Sequence, residues 1–198
     1  MKEDTILEQA ELIRGNTNQV IKHLQIAEIL EKYGKLYYTG SYALDLMTWN
    51  DLDMQLVPNP GMDSKQAFSE IFNHFFNHES FIKGKVINFQ GDYKPVMPRG
   101  LYLGLNFNIE DLGGDWKLDL WVLNDEDFKK NRLFIEKIQS IMTPEIRQLI
   151  LELKHQMMEG NNRVPQLGSY QLYQALLEGH TTKNEIARFL NEKGIHFG

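Results

Sequence analysis

The sequence predicts an α+β fold, in which a mixed β-sheet is flanked by helices and followed by an all-helical C-terminal half. Up to about residue 124, apolar residues recur at both strand and helix spacings, and beyond it only helix spacings remain. The chain has 198 residues, of which 42% are hydrophobic and 24% charged, as is typical of folded globular proteins. We therefore expect two domains, residues 1–124 with the sheet and residues 125–198 with helices alone.

Composition excludes several classes of protein. No apolar run approaches the roughly 18 residues that span a membrane, and the acidic N-terminal stretch does not resemble a signal peptide. We therefore expect a cytoplasmic location and no membrane partner. The chain has no cysteine, which excludes disulfides, thiolate zinc sites and cysteine nucleophiles.

The charge is unevenly distributed along the chain. Residues 1–124 contain 11 of the 21 lysines and arginines and 17 of the 27 aspartates and glutamates. This half therefore carries the whole net charge of −6, and residues 125–198 are neutral overall. Neither half is basic, which predicts against nucleic acid as a partner. An acidic half suits metal ions or a cationic small substrate, although solubility alone would also account for it.

The first predicted elements are an amphipathic helix and two strands. The helix covers residues 17–33 and stops at Gly34. Its apolar residues recur at helical spacing: Val20, Ile21, Leu24, Ala27 and Leu30. A strand over 36–40 and a short helix over 42–49 follow, and a second strand over 51–57 ends at a Pro-rich turn.

A second amphipathic helix is predicted after Asp63, an N-cap residue with Gln66 placed for a capping box. Three more strands follow, over 85–89, 101–109 and 116–123, and a glycine pair joins the last two as a hairpin.

The second half is predicted to be helical throughout. Thr143 and Pro144 mark the start of one helix. Its apolar face consists of Ile146, Leu149, Ile150, Leu153 and Met157. Thr182 and Glu185 form a capping box at the start of another.

Two aspartates lie on one face of the strand over 51–57. Because side chains alternate along a strand, Asp51 and Asp53 point the same way, roughly 6–7 Å apart at the backbone. Two acids on a mostly buried strand repel each other and resist desolvation, and a divalent cation is the commonest reason for such a pair. The alternative is one acid in a turn and one on an exposed edge strand.

The strand over 116–123 repeats this alternation. One face carries Leu118, Leu120 and Val122, and the other carries Lys117, Asp119 and Trp121. If the two strands are neighbours, three carboxylates converge, and oxygen-only ligands favour Mg²⁺ or Mn²⁺ over zinc. Two such ions about 4 Å apart are the usual machinery for displacement at phosphorus. A surface pair with Lys117 would also explain Asp119 taken alone.

Nine residues separate Gly40 and Ser41 from the Asp51–Asp53 pair. Glycine lets a backbone approach a ligand closely, and Ser41 would open a short helix whose free N–H groups face the same spot. This arrangement predicts a phosphate site, although a simple turn explains the two residues equally well.

The pattern Gly-Ser, nine residues, Asp-Leu-Asp and a later alternating strand with Asp119 resembles the nucleotidyltransferase superfamily of DNA polymerase β and the antibiotic nucleotidyltransferases. The resemblance covers residues 17–124. Residues 102–123 look most like the aminoglycoside and lincosamide nucleotidyltransferases. Two departures stand out: Leu44-Asp45 replaces the Arg-Gly of many small members, and Asn50 replaces the usual serine.

This resemblance implies a role for each residue of the pattern. Gly40 and Ser41 would hold the β- and γ-phosphates, Asp51 and Asp53 would ligate the metals, and Asp119 would ligate the second metal or act as a base. Lys117 is the preferred candidate for a further contact with the triphosphate, since it shares a face with Asp119.

The implied activity is a Mg²⁺-dependent (or Mn²⁺-dependent) transfer of a nucleoside monophosphate from an NTP, expected to be ATP, to a hydroxyl of a small-molecule acceptor such as an antibiotic. Pyrophosphate is the other product. Two alternatives remain open: a toxin-like transferase that modifies RNA or protein, and a non-catalytic nucleotide-binding module. The sequence leaves the oligomeric state open.

Overall fold

A computed structural model describes residues 3–91, 98–158 and 168–195 of the chain. Five strands form one mixed sheet: β1 (Gly34–Tyr38), β2 (Asp51–Pro58), β3 (Phe81–Asn88), β4 (Gly100–Ile109) and β5 (Gly114–Leu123). Their order across the sheet is β1-β2-β5-β4-β3. The predicted mixed sheet, and with it the α+β class, is confirmed.

The central pair of strands is the parallel one. β2 pairs with β5 in parallel, while β1 with β2, β5 with β4, and β4 with β3 are antiparallel. The register sets Asp53 opposite Asp119 and Asp51 opposite Lys117. The predicted convergence of the three carboxylates therefore follows from this one pairing.

The helices flank the sheet and then make up the rest of the described chain. They are α1 (Glu3–His23), α2 (Ile26–Leu30), α3 (Gly40–Leu44), α4 (Ser64–Phe76), α5 (Asp125–Ile141), α6 (Pro144–Met158), α7 (Gly168–Leu177) and α8 (Lys183–Glu192). A short 3₁₀ turn, Glu110–Leu112, precedes β5. None of the described helices combines the length and apolar character needed to cross a membrane.

The predicted helix over 17–33 is in fact two helices. α1 begins much earlier, at Glu3, and the helical conformation is interrupted at Gln25, which has a left-handed φ of 51°. No glycine or proline marks this break, so local sequence gives no sign of it. α3 likewise begins at Gly40 rather than at residue 42, and β3 begins at Phe81 rather than at residue 85.

The predicted caps are confirmed in part. The carboxylate of Asp63 accepts hydrogen bonds from the backbone N–H groups of Lys65 and Gln66, but the Gln66 side chain bonds to Glu70 instead of closing a capping box. The capping box of α8, built by Thr182 with the third residue of that helix, is complete.

The described residues form two apolar cores. The first fills the space between one face of the sheet and helices α1, α2 and α4, with Leu52, Met54 and Leu118 fully buried at its centre. The second lies among α5–α8 and includes Leu44 and Leu46 from the first half of the chain. The domain boundary at residue 124 stays a prediction.

Candidate active site

Three carboxylates converge on the face of the sheet that lies opposite the first core. Asp51 and Asp53 come from β2 and Asp119 from β5, and each offers an oxygen within 4.8 Å of the others. They are the sole group of three or more possible metal ligands within residues 3–91, 98–158 and 168–195. A set of oxygen ligands without nitrogen or sulfur suits Mg²⁺ or Mn²⁺.

Burial and mutual repulsion disfavour the charged form of two of these carboxylates. Burial, together with the charges of Asp51 and Asp119, raises the pKa of Asp53 to about 8. Burial also raises the pKa of Asp51, although Lys117 acts in the opposite direction. The side chains of Asp51 and Asp119 keep only 19% and 13% of their surface exposed, so water does little to stabilise their charges. A divalent ion would supply the missing positive charge.

Lys117 lies between two of the carboxylates. Its Nζ is 2.6 Å from Asp119 Oδ2 and 3.4 Å from Asp51 Oδ1. Burial opposes the charge of Lys117, but the two carboxylates outweigh burial and raise its pKa. Its predicted contact with a triphosphate stays a prediction, and what the structure shows is a contact with the acids.

Tyr102 on β4 holds the third carboxylate in place. Its hydroxyl donates to Asp119 Oδ1 at 2.8 Å, and burial followed by the charge of Asp119 raises the pKa of Tyr102. The ring reaches Asp119 across Gly104, where a Cβ would lie 2.6 Å from the tyrosine oxygen. Gly104 is therefore the residue that leaves room for this hydrogen bond, a contact the sequence analysis did not predict.

Gly40 leaves similar room for Asp53. Its φ is 58°, a left-handed conformation that disfavours any residue with a Cβ. A Cβ at this position would overlap Asp53 Oδ2, so the backbone of the Gly-Ser turn lies directly against the carboxylate. The structure thus brings Gly40 to the metal-ligand candidates, as the sequence pattern predicts, while its contact with a phosphate stays a prediction.

Ser41 contacts two residues of the helical half that the sequence analysis missed. Lys154 Nζ on α6 donates to Ser41 Oγ at 2.9 Å, and Tyr173 Oη on α7 lies 3.1 Å from the same oxygen. Lys154 also donates to the carbonyl of Leu46, and its ammonium lies 5.0 Å from the centre of the Trp49 ring. Two segments from beyond residue 124 therefore complete the surroundings of Ser41.

Lys154 is an unusual lysine because it is fully buried. Burial lowers its pKa to about 7, against the opposing influence of Asp51 and Asp53. One signal in the sequence could have revealed it. Position 154 falls between Ile150 and Met157 on the predicted apolar face of its helix, where a lysine interrupts an otherwise apolar stripe.

Asp45 connects the segment that follows the Gly-Ser turn to helices α1 and α6 through contacts with two arginines. It ends α3 in a left-handed conformation with φ 58°. Its carboxylate accepts a hydrogen bond from Arg147 Nε on α6 at 2.8 Å and lies 3.4 Å from Arg14 Nη1 on α1. Arg14 also donates to the carbonyl of Tyr42. This departure from the family pattern thus has a structural role of its own.

No family model matches the chain, and no curated protein matches it. Solved structures do match. The chain superposes on the Cid1 poly(U) polymerase with a TM-score of 0.60 and 16% identity, covering 87% of this chain and 52% of that one. It superposes on the GLD-2/RNP-8 complex with a TM-score of 0.55 and 14% identity, covering 96% of this chain and 72% of that one. It superposes on the STING-associated CdnE c-di-GMP synthase from Capnocytophaga granulosa with a TM-score of 0.50 and 11% identity, covering 91% of this chain and 67% of that one.

At these identities the likeness shows the fold. The chain spans about half the length of the poly(U) polymerase that it matches. The fold of the nucleotidyltransferases, expected from the Gly-Ser and Asp-Leu-Asp pattern, is confirmed. None of the three structures described above is named as an antibiotic nucleotidyltransferase.

The prediction against nucleic acid as a partner is wrong. The same fold is that of a poly(U) polymerase and of an RNA terminal U-transferase, which act on nucleic acid by name. The prediction rested on net charge summed over each half of the chain. Such a sum averages over all faces of a fold and carries no information about lysines that lie together on one of them.

Proposed function

We propose that this protein transfers a nucleoside monophosphate from an NTP to an acceptor hydroxyl, in the presence of Mg²⁺ or Mn²⁺, and releases pyrophosphate. One observation carries the proposal. Asp51, Asp53 and Asp119 converge from two neighbouring strands, directly beside a Gly-Ser turn that is backed by a buried lysine. Acids that gather a metal ion next to a site for anionic phosphate are what phosphoryl-type displacement requires.

The three aspartates have different surroundings, which supports different roles. Asp51 and Asp53 share a strand and would hold metal ions, which when bound neutralise the triphosphate and polarise its α-phosphorus. Asp119 has its Oδ1 held by Tyr102 and its Oδ2 by Lys117. A carboxylate oriented in this way suits a metal ligand on the acceptor side or a base that takes the proton of the acceptor hydroxyl.

The triphosphate is proposed to lie against Gly40, Ser41 and Lys154. The Gly40 backbone has no side chain to keep a phosphate away, and the Ser41 hydroxyl can donate to it. With a pKa of about 7, Lys154 is only partly charged in the free protein near neutral pH. A triphosphate would favour the charged form, because an anion close to a buried ammonium raises its pKa.

The nucleobase of the NTP is the first detail to test. ATP is the expected substrate, but the Cid1 structure is named for UTP selectivity, so all four NTPs have to be compared. An acceptor of the antibiotic type has no observation in the described structure that favours it. RNA terminal transfer and c-di-GMP synthesis, which the matched structures name, support a nucleotide or nucleic acid hydroxyl instead.

Thermal unfolding with Mg²⁺ and each NTP tests the donor site, followed by release of labelled pyrophosphate as the test of turnover. We expect Asp51→Asn, Asp53→Asn and Asp119→Asn each to lower turnover by about 100-fold or more. Asp111→Asn, which alters an exposed aspartate outside the cluster, is the matched control. Turnover that survives Asp53→Asn would refute the proposal, and nucleotide binding without turnover on any acceptor would favour a non-catalytic module.

A further inference from the structure

The face of the sheet that carries the carboxylates continues past β5 onto two more strands. In antiparallel pairs, residues directly opposite each other lie on the same face. The register places Asp119 opposite Gly104, and Gly104 opposite Lys85 on β3. In the next row Lys117 lies opposite Asn106, and Asn106 opposite Lys83. The two lysines of β3 therefore share a face with the catalytic candidates.

The distance between the lysines and the carboxylates is short. Neighbouring strands lie about 4.8 Å apart, so the Cα atom of Lys85 is roughly 10 Å from that of Asp119. Gly104 is the residue between them in this row, and the Tyr102 hydroxyl lies over Gly104 on the same face. Lys83 and Lys85 are exposed, and neither forms an ion pair with any residue that the structure describes.

Aromatic rings border the same face. Trp121 lies opposite Tyr102 in the row that follows Asp119, and their ring centroids are 5.0 Å apart. Phe89 stacks on Trp121 with centroids 5.3 Å apart and planes at 26°. Trp121 and Tyr102 stay partly exposed, so their rings can stack with a nucleobase.

We propose that the acceptor is the 3′ end of a single-stranded nucleic acid, bound across this face. We call it the acceptor face and define it by Lys83, Lys85, Tyr102, Asn106 and Trp121. The proposal rests on the proposed function. The terminal hydroxyl lies at Asp119, the backbone phosphates behind it lie against the two β3 lysines, and a base stacks beside Trp121.

The transfer on this acceptor is balanced without further reactants. The acceptor oxygen forms a bond to the α-phosphorus of the NTP, and the bond from that phosphorus to the bridging oxygen breaks. Pyrophosphate leaves with that oxygen, and the hydroxyl proton passes to Asp119 or to solvent. The nucleic acid is longer by one nucleotide.

Charge distinguishes this acceptor from the small cationic acceptor that the acidic N-terminal half suggests. Lys83 and Lys85 lie on the edge strand of the face that carries Asp119, where they repel a cation and attract phosphodiesters. A neutral or cationic small molecule would gain nothing from the two lysines.

The test compares Lys83→Gln/Lys85→Gln with Lys65→Gln/Lys137→Gln, a control that removes two exposed lysines from helices α4 and α5. The probe is a fluorescein-labelled oligo(A) RNA of about 15 nucleotides, bound without metal or NTP and measured by anisotropy over a salt series. We expect the β3 double variant to bind about 5- to 30-fold more weakly than wild type at low salt, and its log–log salt slope to fall by about 1.4. The control should bind like wild type.

Two further measurements separate the acceptor face from the donor site. The Mg²⁺–NTP thermal shift should be unchanged in the β3 double variant, whereas extension of the RNA by labelled NTP should fall with its affinity. Equal RNA binding by the β3 variant and the control would overturn the proposal, as would a wild type that joins free nucleotides but leaves the oligonucleotide unchanged. If wild type itself showed no thermal shift with Mg²⁺ and any NTP, that result would instead count against the proposed function.

Discussion

The ammonium of Lys154 donates to Ser41 Oγ at 2.9 Å, although the two residues are 113 positions apart in the sequence. This contact places a buried lysine behind the Gly-Ser turn, where a bound triphosphate would favour its charged form. We predict that Lys154→Met weakens binding of the preferred NTP by about 10- to 100-fold, because a charge-assisted contact with the triphosphate is lost. Isothermal titration with Mg²⁺ present measures the change.

Lys137→Met is the control for this variant, since Lys137 is an exposed lysine on α5. The Met side chain fills much of the same volume, but the carbonyl of Leu46 loses its donor, which should lower the free energy of unfolding by about 1–3 kcal/mol. We expect Lys154→Met still to unfold cooperatively without nucleotide. Wild-type NTP affinity in the folded variant would show that Lys154 has only a packing role.

Lys154 should also make the stability of the free protein depend on pH. Its pKa is about 7 in the folded protein, whereas an unfolded lysine has a pKa of about 10.4. Between these values the unfolded state holds more protons, so the contribution of Lys154 to the free energy of unfolding increases with pH. Asp53, with its raised pKa, contributes in the opposite direction up to about pH 8 in both proteins, so the comparison isolates Lys154. Urea unfolding at pH 7, 8.5 and 10 should show that the free energy of unfolding of wild type increases with pH relative to that of Lys154→Met. A parallel pH dependence in both proteins would contradict the prediction.

Gly40 offers a test of the contact between the Gly-Ser turn and Asp53. Gly40→Ala introduces both left-handed strain and a Cβ that overlaps the Asp53 carboxylate. Gly61→Ala is the matched control, because Gly61 has a φ of 80° and nothing lies within 4 Å of the position that its Cβ would occupy. Each should lose about 1–2 kcal/mol of stability from strain. Only Gly40→Ala should also lose the Mg²⁺-dependent thermal shift, and retention of that shift would contradict the placement.

Binding of Mg²⁺ should depend on pH through Asp53. Its pKa of about 8 means that a proton must leave before the carboxylate can ligate a metal. We expect the apparent Mg²⁺ affinity to increase roughly 100-fold from pH 6 to pH 9 and then to level off. Titration calorimetry in two buffers of different ionisation enthalpy would detect the released proton. Affinity that does not change with pH would argue against Asp53 as a ligand.

Lys117 would compete with a bound metal ion for two of the three carboxylates. Its ammonium lies 2.6 Å from Asp119 and 3.4 Å from Asp51, so a divalent ion must share or displace it. We predict that Lys117→Met binds Mg²⁺ about 10-fold more tightly, because a competing positive charge is gone. Lys65→Met, on an exposed lysine of α4, should match wild type. If Lys117 also contacts the triphosphate, the same variant will bind NTP more weakly, and the two titrations report the two roles separately.

The carboxylate cluster was predictable because strand alternation is a strict rule. Once the buried faces of β2 and β5 are recognised from their apolar residues, Asp51, Asp53 and Asp119 must all lie on the other faces. Gly-Ser and Asp-Leu-Asp are close in sequence, so a local pattern was sufficient to associate them.

The remaining parts of the site were not accessible to local patterns. Lys154 and Tyr173 reach Ser41 through tertiary contacts between segments, and helical periodicity alone does not say which apolar face packs on which turn. The prediction of one continuous helix over 17–33 was wrong for a related reason. Gln25, which is not a glycine, adopts a left-handed conformation because of its tertiary surroundings. Lys83 and Lys85 were candidates for a contact with the triphosphate, but they were not associated with an acceptor because net charge was summed along the chain and not over a face.

The parallel pairing of β2 with β5 also sets the order in which the site can form during synthesis. Asp53 lacks its opposite residue until Asp119 has been made, and Ser41 lacks its ammonium partner until Lys154 has followed. At ribosomal rates the interval from residue 119 to residue 154 is roughly 2 to 7 seconds. A nascent chain in that interval contains all three aspartates but lacks the lysine behind the Gly-Ser turn. Under the proposed function, tight nucleotide binding would therefore report on completed folding, because the proposed triphosphate contacts come from both halves of the chain.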